Sequence, residues 1–215
     1  MPAVAAAVLF ASTAPASVHP HVFAEARLEV TVGPGETVGS LRHVWRFDEV
    51  FSSGEVLLAF DANQDLNLDN AELEAAGATF HQSLAEFDYF QFMTIDGKDV
   101  ELAAPEQLMV TFEDGQMIVL FESKPSVPVK LSGTIGFGVY DPSFYIAIDF
   151  ADDAQLAATG LPAGCRQSVI RPDEDQMLSQ GTLTEQFFEN PGASGVGEAF
   201  ATRLELTCGS PEKPS

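Results

Sequence analysis

Two Asp-Gly pairs, Asp96-Gly97 and Asp114-Gly115, each interrupt a run of alternating apolar residues, in "FMTIDGKDVEL" and "LMVTFEDGQMIVLFE". No other feature of the chain restricts its fold so tightly. An Asp-Gly pair suits the two left-handed positions of a type I′ turn, whose twist matches that of paired strands. Each stretch is therefore predicted to be a β-hairpin. The same period of two recurs upstream. In "VFAEARLEVTV", residues 22–32, Val, Ala and Leu alternate with Phe, Glu and Arg. In "SLRHVWRFDEVF", Leu41, His43, Trp45 and Phe47 share one face. With "GPGET" as the turn between them, these segments predict another antiparallel hairpin. Residues 129–150, "VKLSGTIGFGVYDPSFYIAIDF", predict two strands around the turn triplet Asp141-Pro142-Ser143. "CRQSVI" and "TRLELTC" predict two late strands, separated over 172–198 by a short helical piece and a Gly/Ser/Pro-containing loop.

The alternation breaks over residues 52–89. Ser52-Ser53-Gly54-Glu55 has the form of a capping box and predicts a short helix over "EVLLAF". Residues 70–89 predict a longer helix, with Leu73, Phe80, Leu84 and Phe87 along one face and Gly77 among them. The expected class is α+β, a β-rich, sandwich-like body carrying a helix-loop-helix, EF-hand-like insertion at 52–89.

The loop between the two helices, "DANQDLNLDNAE", places Asp61, Asn63, Asp65, Asn67, Asp69 and Glu72 at positions one, three, five, seven, nine and twelve of the EF-hand calcium pattern. Calcium takes six to eight oxygens, and alternate residues of a tight loop can supply them while Glu72 closes the site from the next helix. Position six ordinarily holds Gly because the backbone turns there with positive φ. Leu66 stands in its place. Forcing Leu into that conformation costs roughly 1–2 kcal/mol, about tenfold or more in affinity. Extracellular sites working near ~10⁻⁴–10⁻³ M tolerate such a loss. The competing reading is a solvated Asx-rich loop in which Asp69 caps the following helix.

Residues 1–16, "MPAVAAAVLFASTAPA", are uncharged and apolar and end in Ala14-Pro15-Ala16, the form of a signal peptide with its cleavage site, although no basic residue precedes the apolar run. The remainder, 17–209, is expected to be a single exported domain, with a disordered tail at 210–215. The chain holds 10 Lys+Arg against 32 Asp+Glu, a net charge of -22. Phosphate backbones repel such a surface, so nucleic acid is not expected as a partner. Cations are attracted, though the same charge also serves solubility. Cys165 and Cys208 are the two cysteines. In an exported chain they are expected to form a disulfide closing a loop of about 44 residues, stabilising by roughly 4 kcal/mol.

Two of the four histidines, His19 and His21, lie in "SVHPHVF" where the leader gives way to the first strand. Cleavage after Ala16 would leave Ser17-Val18-His19, whose amine, two amides and imidazole suit square-planar Cu(II) or Ni(II). Cleavage after Val18 would instead leave the amine and imidazole of His19 beside His21, with His43 on the neighbouring strand as a third ligand in a zinc-like set. The alternative for His43 is a core imidazole beside Trp45, and for His81 partial burial on its helix. No G-x-S-x-G, H-E-x-x-H or Cys-with-base pattern occurs in the sequence, so an enzyme is not expected.

"HPHVF", "LRHVWRFDE", the calcium-like loop with "LAEFDYF", "VYDPSFYIAIDF" and "GEAFATRLELTC" occur in this order over about residues 19–209. Together they resemble a bacterial family, the domain of unknown function numbered one thousand and seven. Its members are often described as the periplasmic component of an uncharacterised ABC-type transport system. They are often encoded beside permeases of the nickel/cobalt-exporter type, and some lie in zinc-responsive gene sets. The resemblance implies a periplasmic protein that handles a transition metal such as zinc or nickel for a membrane permease or transporter. It maps family motifs onto His19 and His21, onto His43, and onto the loop Asp61 to Glu72, where Leu66 departs from the usual Gly.

Overall fold

The computed structural model describes residues 20–173 and 201–209. The expected signal peptide, His19, residues 174–198 of the late connection and the expected disordered tail lie outside the described residues. The first half of the chain runs β1 (Val22–Gly33), β2 (Thr37–Phe47), α1 (Glu49–Phe51), a π-helical stretch (Ser52–Leu57), α2 (Leu58–Phe60), α3 (Asn70–Leu84), a 3-10 stretch (Ala85–Phe90), β3 (Gln91–Ile95), β4 (Lys98–Asp99) and β5 (Leu102–Ala103). The second half runs β6 (Met109–Glu113), β7 (Gln116–Pro125), β8 (Gly133–Val139), β9 (Ile146–Asp149), a 3-10 turn (Asp153–Gln155), β10 (Leu156–Thr159), β11 (Cys165–Ile170) and β12 (Arg203–Cys208). A seven-stranded sheet has the order β10-β1-β2-β7-β5, with β6 also on β7 and β9 also on β1. A five-stranded sheet has the order β11-β12-β8-β3-β4. Side chains from both sheets form one continuous apolar core, so the chain is α+β with a two-sheet, β-rich body.

Both Asp-Gly turns form as expected. Ile95 pairs with Lys98 around Asp96 (φ 49°) and Gly97 (φ 75°). Glu113 pairs with Gln116 around Asp114 (φ 52°) and Gly115 (φ 78°). Both central residues of each turn are left-handed, the geometry that lets strands continue with their natural twist. The alternation in β1 and β2 also holds: Val22, Ala24, Ala26, Leu28 and Val30 are buried, as are Leu41, His43, Trp45 and Phe47.

The Asp141 triplet serves a different purpose from a hairpin turn. The strands on either side do not pair with each other: β8 lies in the small sheet, while β9 crosses over to run parallel with β1. The buried Asp141 carboxylate holds this corner by accepting the Ser143 N–H, the Ser143 hydroxyl and the Ile146 N–H. Cys165 and Cys208 stand directly opposite each other on β11 and β12 and form the expected disulfide.

The helical segment departs from the expectation in two places. The capping box at Ser52 is not the start of the helix. Asp48 caps it instead, accepting the Phe51 N–H, and the helix begins at Glu49. The Ser52 hydroxyl is fully buried, donates to the Asp48 carbonyl and accepts the Met117 N–H from β7. A carboxylate one turn earlier supplies the cap, which frees the serine to pin the helix to the sheet. The second helix ends at Leu84 rather than 89, because Asp88, Tyr89 and Phe90 all take positive φ and turn the chain into β3. Burial of the Tyr89 and Phe90 rings offsets that strained backbone. At Gly77 the helix backbone packs onto Leu108, whose carbonyl would lie 2.5 Å from an added Cβ.

Among the described residues, no helix is long and apolar enough to cross a membrane.

Candidate metal-binding loop and histidines

The loop from Asp61 to Glu72 is tied at both ends by its own carboxylates. Asp61 accepts the Asp65 N–H through Oδ1 (3.1 Å) and the Leu66 N–H through Oδ2 (2.8 Å). Asn63 Oδ1 accepts the Asp65 N–H and Asp65 Oδ1 accepts the Asn67 N–H. At the far end Glu72, mostly buried, reaches back across the loop. Its Oε1 accepts the Ala62 N–H (2.9 Å) and its Oε2 the Asp69 N–H (2.8 Å). Asp69 returns the second bond, accepting from Ala71 and Glu72, so the reciprocal capping box of this protein lies here, at the start of α3.

Leu66 carries φ of 63° with its side chain exposed. Position six of the loop has therefore taken the left-handed conformation the calcium pattern asks of Gly. Solvent accepts the leucine side chain, and the Asp61–Leu66 hydrogen bond helps hold the turn. Carboxylate and amide oxygens keep a spare lone pair after one such bond, so the donor set suits a hard cation. Among the described residues, no three Asp, Glu, His or Cys side chains are gathered closely enough to hold a metal ion. A cation here would have to draw these oxygens inward from their amide partners.

The structure separates the histidines. His21 is exposed immediately ahead of β1, its N–H donating to the Tyr145 carbonyl and its ring 5.1 Å from that of Tyr145. His43 lies on β2 opposite Leu28. Leu28 is seven residues along β1 from His21, on the order of 23 Å at strand rise. The two imidazoles cannot share an ion in this fold, which corrects the expectation of His43 as a third ligand. Its side chain points with Leu41 and Trp45 into the core, where it stacks on Phe121 at 4.4 Å. Burial lowers its pKa from 6.5 to about 3, outweighing the neighbouring Gln91 side chain, which acts in the opposite direction. No hydrogen bond of good geometry reaches either ring nitrogen of His43, or Nε1 of Trp45. His81 is half-buried on α3, with Nε2 2.8 Å from the Pro105 carbonyl and 3.3 Å from the Tyr89 hydroxyl.

The profile of the family described as "Protein of unknown function (DUF1007)" matches residues 4–208. The chain belongs to this family. A relative described as an uncharacterized protein, from Haemophilus influenzae strain Rd, is 20% identical over 195 residues, covering 88% of this chain and 91% of its own. Among solved structures, an AChBP from Capitella teleta in complex with lobeline aligns at 12% identity over 95% of this chain and 90% of its own, with a TM-score of 0.29. A score that low carries no inference to the DUF1007 chain.

Beside the buried imidazole lies a polar contact that sequence patterning missed. The Ser123 hydroxyl on β7 donates to Gln91 Oε1 on β3, joining the two sheets through the core. The signal was present only in part: Ser123 falls at an inward position of β7, but nothing in the sequence pairs it with Gln91.

Proposed function

We propose that this protein is a periplasmic transition-metal-binding accessory protein, handling Zn, Ni, Co or Cu for a membrane permease or transporter, with Asp61–Glu72 as a structural calcium loop. The observation that carries the reading is the contrast between the exposed His21 ahead of β1 and the enclosed His43. Transition-metal chemistry therefore falls to the terminal pair His19 and His21. Cleavage after Ala16 gives the square-planar chelate of the Ser17 amine, two amides and the His19 imidazole. Cleavage after Val18 gives the His19 amine and imidazole with His21. The acidic surface, the disulfide and the resemblance to a family often encoded beside permeases of the nickel/cobalt-exporter type support the same location and role. The left-handed Leu66 and the back-reaching Glu72 support calcium in the loop.

The test is metal content and N-terminal mass of the protein exported with its own leader, against a His19→Ala/His21→Ala variant. About one Zn, Ni, Co or Cu per wild-type chain, absent from the variant, supports the reading, and the mass selects the chelate. If neither protein holds a transition metal after titration, the reading fails. A calcium-stabilised adaptor for a partner protein would then stand. The exposed Val50 in α1 and Leu58 in α2 favour that second reading.

A further inference from the structure

The two Asp-Gly turns carry the same latent chemistry. Glycine has no Cβ to shield its amide nitrogen, so that nitrogen can attack the γ-carbon of the preceding aspartic acid. The new C–N bond closes a five-membered succinimide, and the carboxyl oxygen leaves as water with the glycine amide proton. Water then reopens the ring at either carbonyl. Opening at the main-chain carbonyl leaves the glycine nitrogen on the γ-carbon, an isoaspartyl link of unchanged mass. Closure needs the carboxyl group to swing over the following peptide while the turn relaxes. A hairpin tip relaxes easily, so the hold on the carboxyl group decides whether the reaction runs.

The structure treats the two carboxylates unequally. Asp96 is clamped to β8: its N–H donates to the Thr134 carbonyl (2.7 Å) and its Oδ1 accepts the Thr134 N–H (2.9 Å). Its carboxylate also fills the space beside Gly133, where an added Cβ would lie 2.6 Å from Oδ1. Asp114 has no such hold. It is exposed, and among the described residues its carboxylate has no hydrogen bond or ion pair. The Ser53 hydroxyl donates to the Gly115 carbonyl (3.1 Å), a bond that involves neither the Asp114 carboxyl group nor the Gly115 nitrogen.

We propose that Asp114-Gly115 is the site at which the folded protein accumulates isoaspartate, and that Asp96-Gly97 is spared by its hold on β8. This modification site is independent of the transition-metal reading, because it uses none of the same residues.

The test is ageing of the full mature chain at pH 6 and 37 °C, then proteolytic digestion and liquid chromatography with mass spectrometry, in which an isoaspartyl peptide separates from its parent at equal mass. In the folded protein the peptide holding Asp114 should convert at least fivefold faster than the one holding Asp96. In urea sufficient to unfold the chain the two rates should agree within about twofold, because glycine follows both aspartates and the fold no longer distinguishes them. Asp114→Glu, whose ring closure would need a six-membered imide, should give no product there and leave the rate at Asp96 unchanged. Equal or faster conversion at Asp96 in the folded chain overturns the proposal. So does a preference for Asp114 that persists in urea, which would place its cause in the local sequence, or an inert Asp114 over a period in which the unfolded chain converts.

Discussion

His43 makes acid stability a direct test of the core geometry. The folded protein holds this imidazole neutral down to about pH 3, because protonation would place an unpaired charge between the sheets. In the unfolded chain the same group takes up its proton near 6.5. The unfolded state therefore binds more protons throughout that window, and stability rises with pH across it. The contribution is fully present above 6.5 and is lost as pH falls toward 3. The gap between about 3 and 6.5 corresponds to about 5 kcal/mol over the whole window, and about 2 kcal/mol of that is gone by pH 5. The perturbation is His43→Leu, which keeps apolar bulk and removes the titrating group. Urea unfolding of both proteins at pH 7 and pH 5 isolates the term, since the carboxylates titrate alike in each. Wild type should lose about 2 kcal/mol more than the variant on acidification. At pH 7 the variant should be as stable as wild type or slightly more so, because no hydrogen bond of good geometry is broken and two ring nitrogens without a well-placed partner leave the core. An identical pH dependence in both proteins would refute the reasoning. A loss of several kcal/mol at pH 7 would also refute it, by showing that the ring nitrogens hold a partner.

Calcium should raise the melting temperature, Glu72→Gln should remove most of that rise, and Leu66→Gly should tighten calcium binding by tenfold or more, measured by calorimetry. Reduction of the Cys165–Cys208 bridge, or its replacement by serines, should cost roughly 4 kcal/mol in chemical denaturation, consistent with its 43-residue separation. Gly77→Ala should destabilise by about 1–3 kcal/mol despite the better helix propensity of Ala, because the Leu108 carbonyl blocks the new methyl. A stabilised Gly77→Ala protein would show that α3 can lift off the segment leading into β6.

Much of the body was legible because its signals are local. The Asp-Gly pairs dictate φ at two positions and so dictate a turn, and alternation declares which face of β1 and β2 is inward. Short strands escaped notice for the same reason: β5 has two residues and β10 four, too few for a period to register. Ser52 misled because a capping pattern says nothing of a better cap one turn earlier. The calcium-like loop was readable as a spacing of oxygens, but the direction those oxygens face depends on Leu66 accepting a left-handed backbone and on Glu72 folding back.

Alone, the sequence determined the hairpins, the inward faces, the loop that can offer oxygens to a cation and the pair of cysteines free to join. All of these depend on groups within a few residues of one another, or on there being no other choice. Only the tertiary structure decided that β9 leaves β8 to lie beside β1, that His43 is sealed away from His21, and that Ser123 meets Gln91 between the sheets. Those outcomes depend on how two sheets stack and cross over. Period-two patterning marks which side of a strand is buried, but not which strand lies against it.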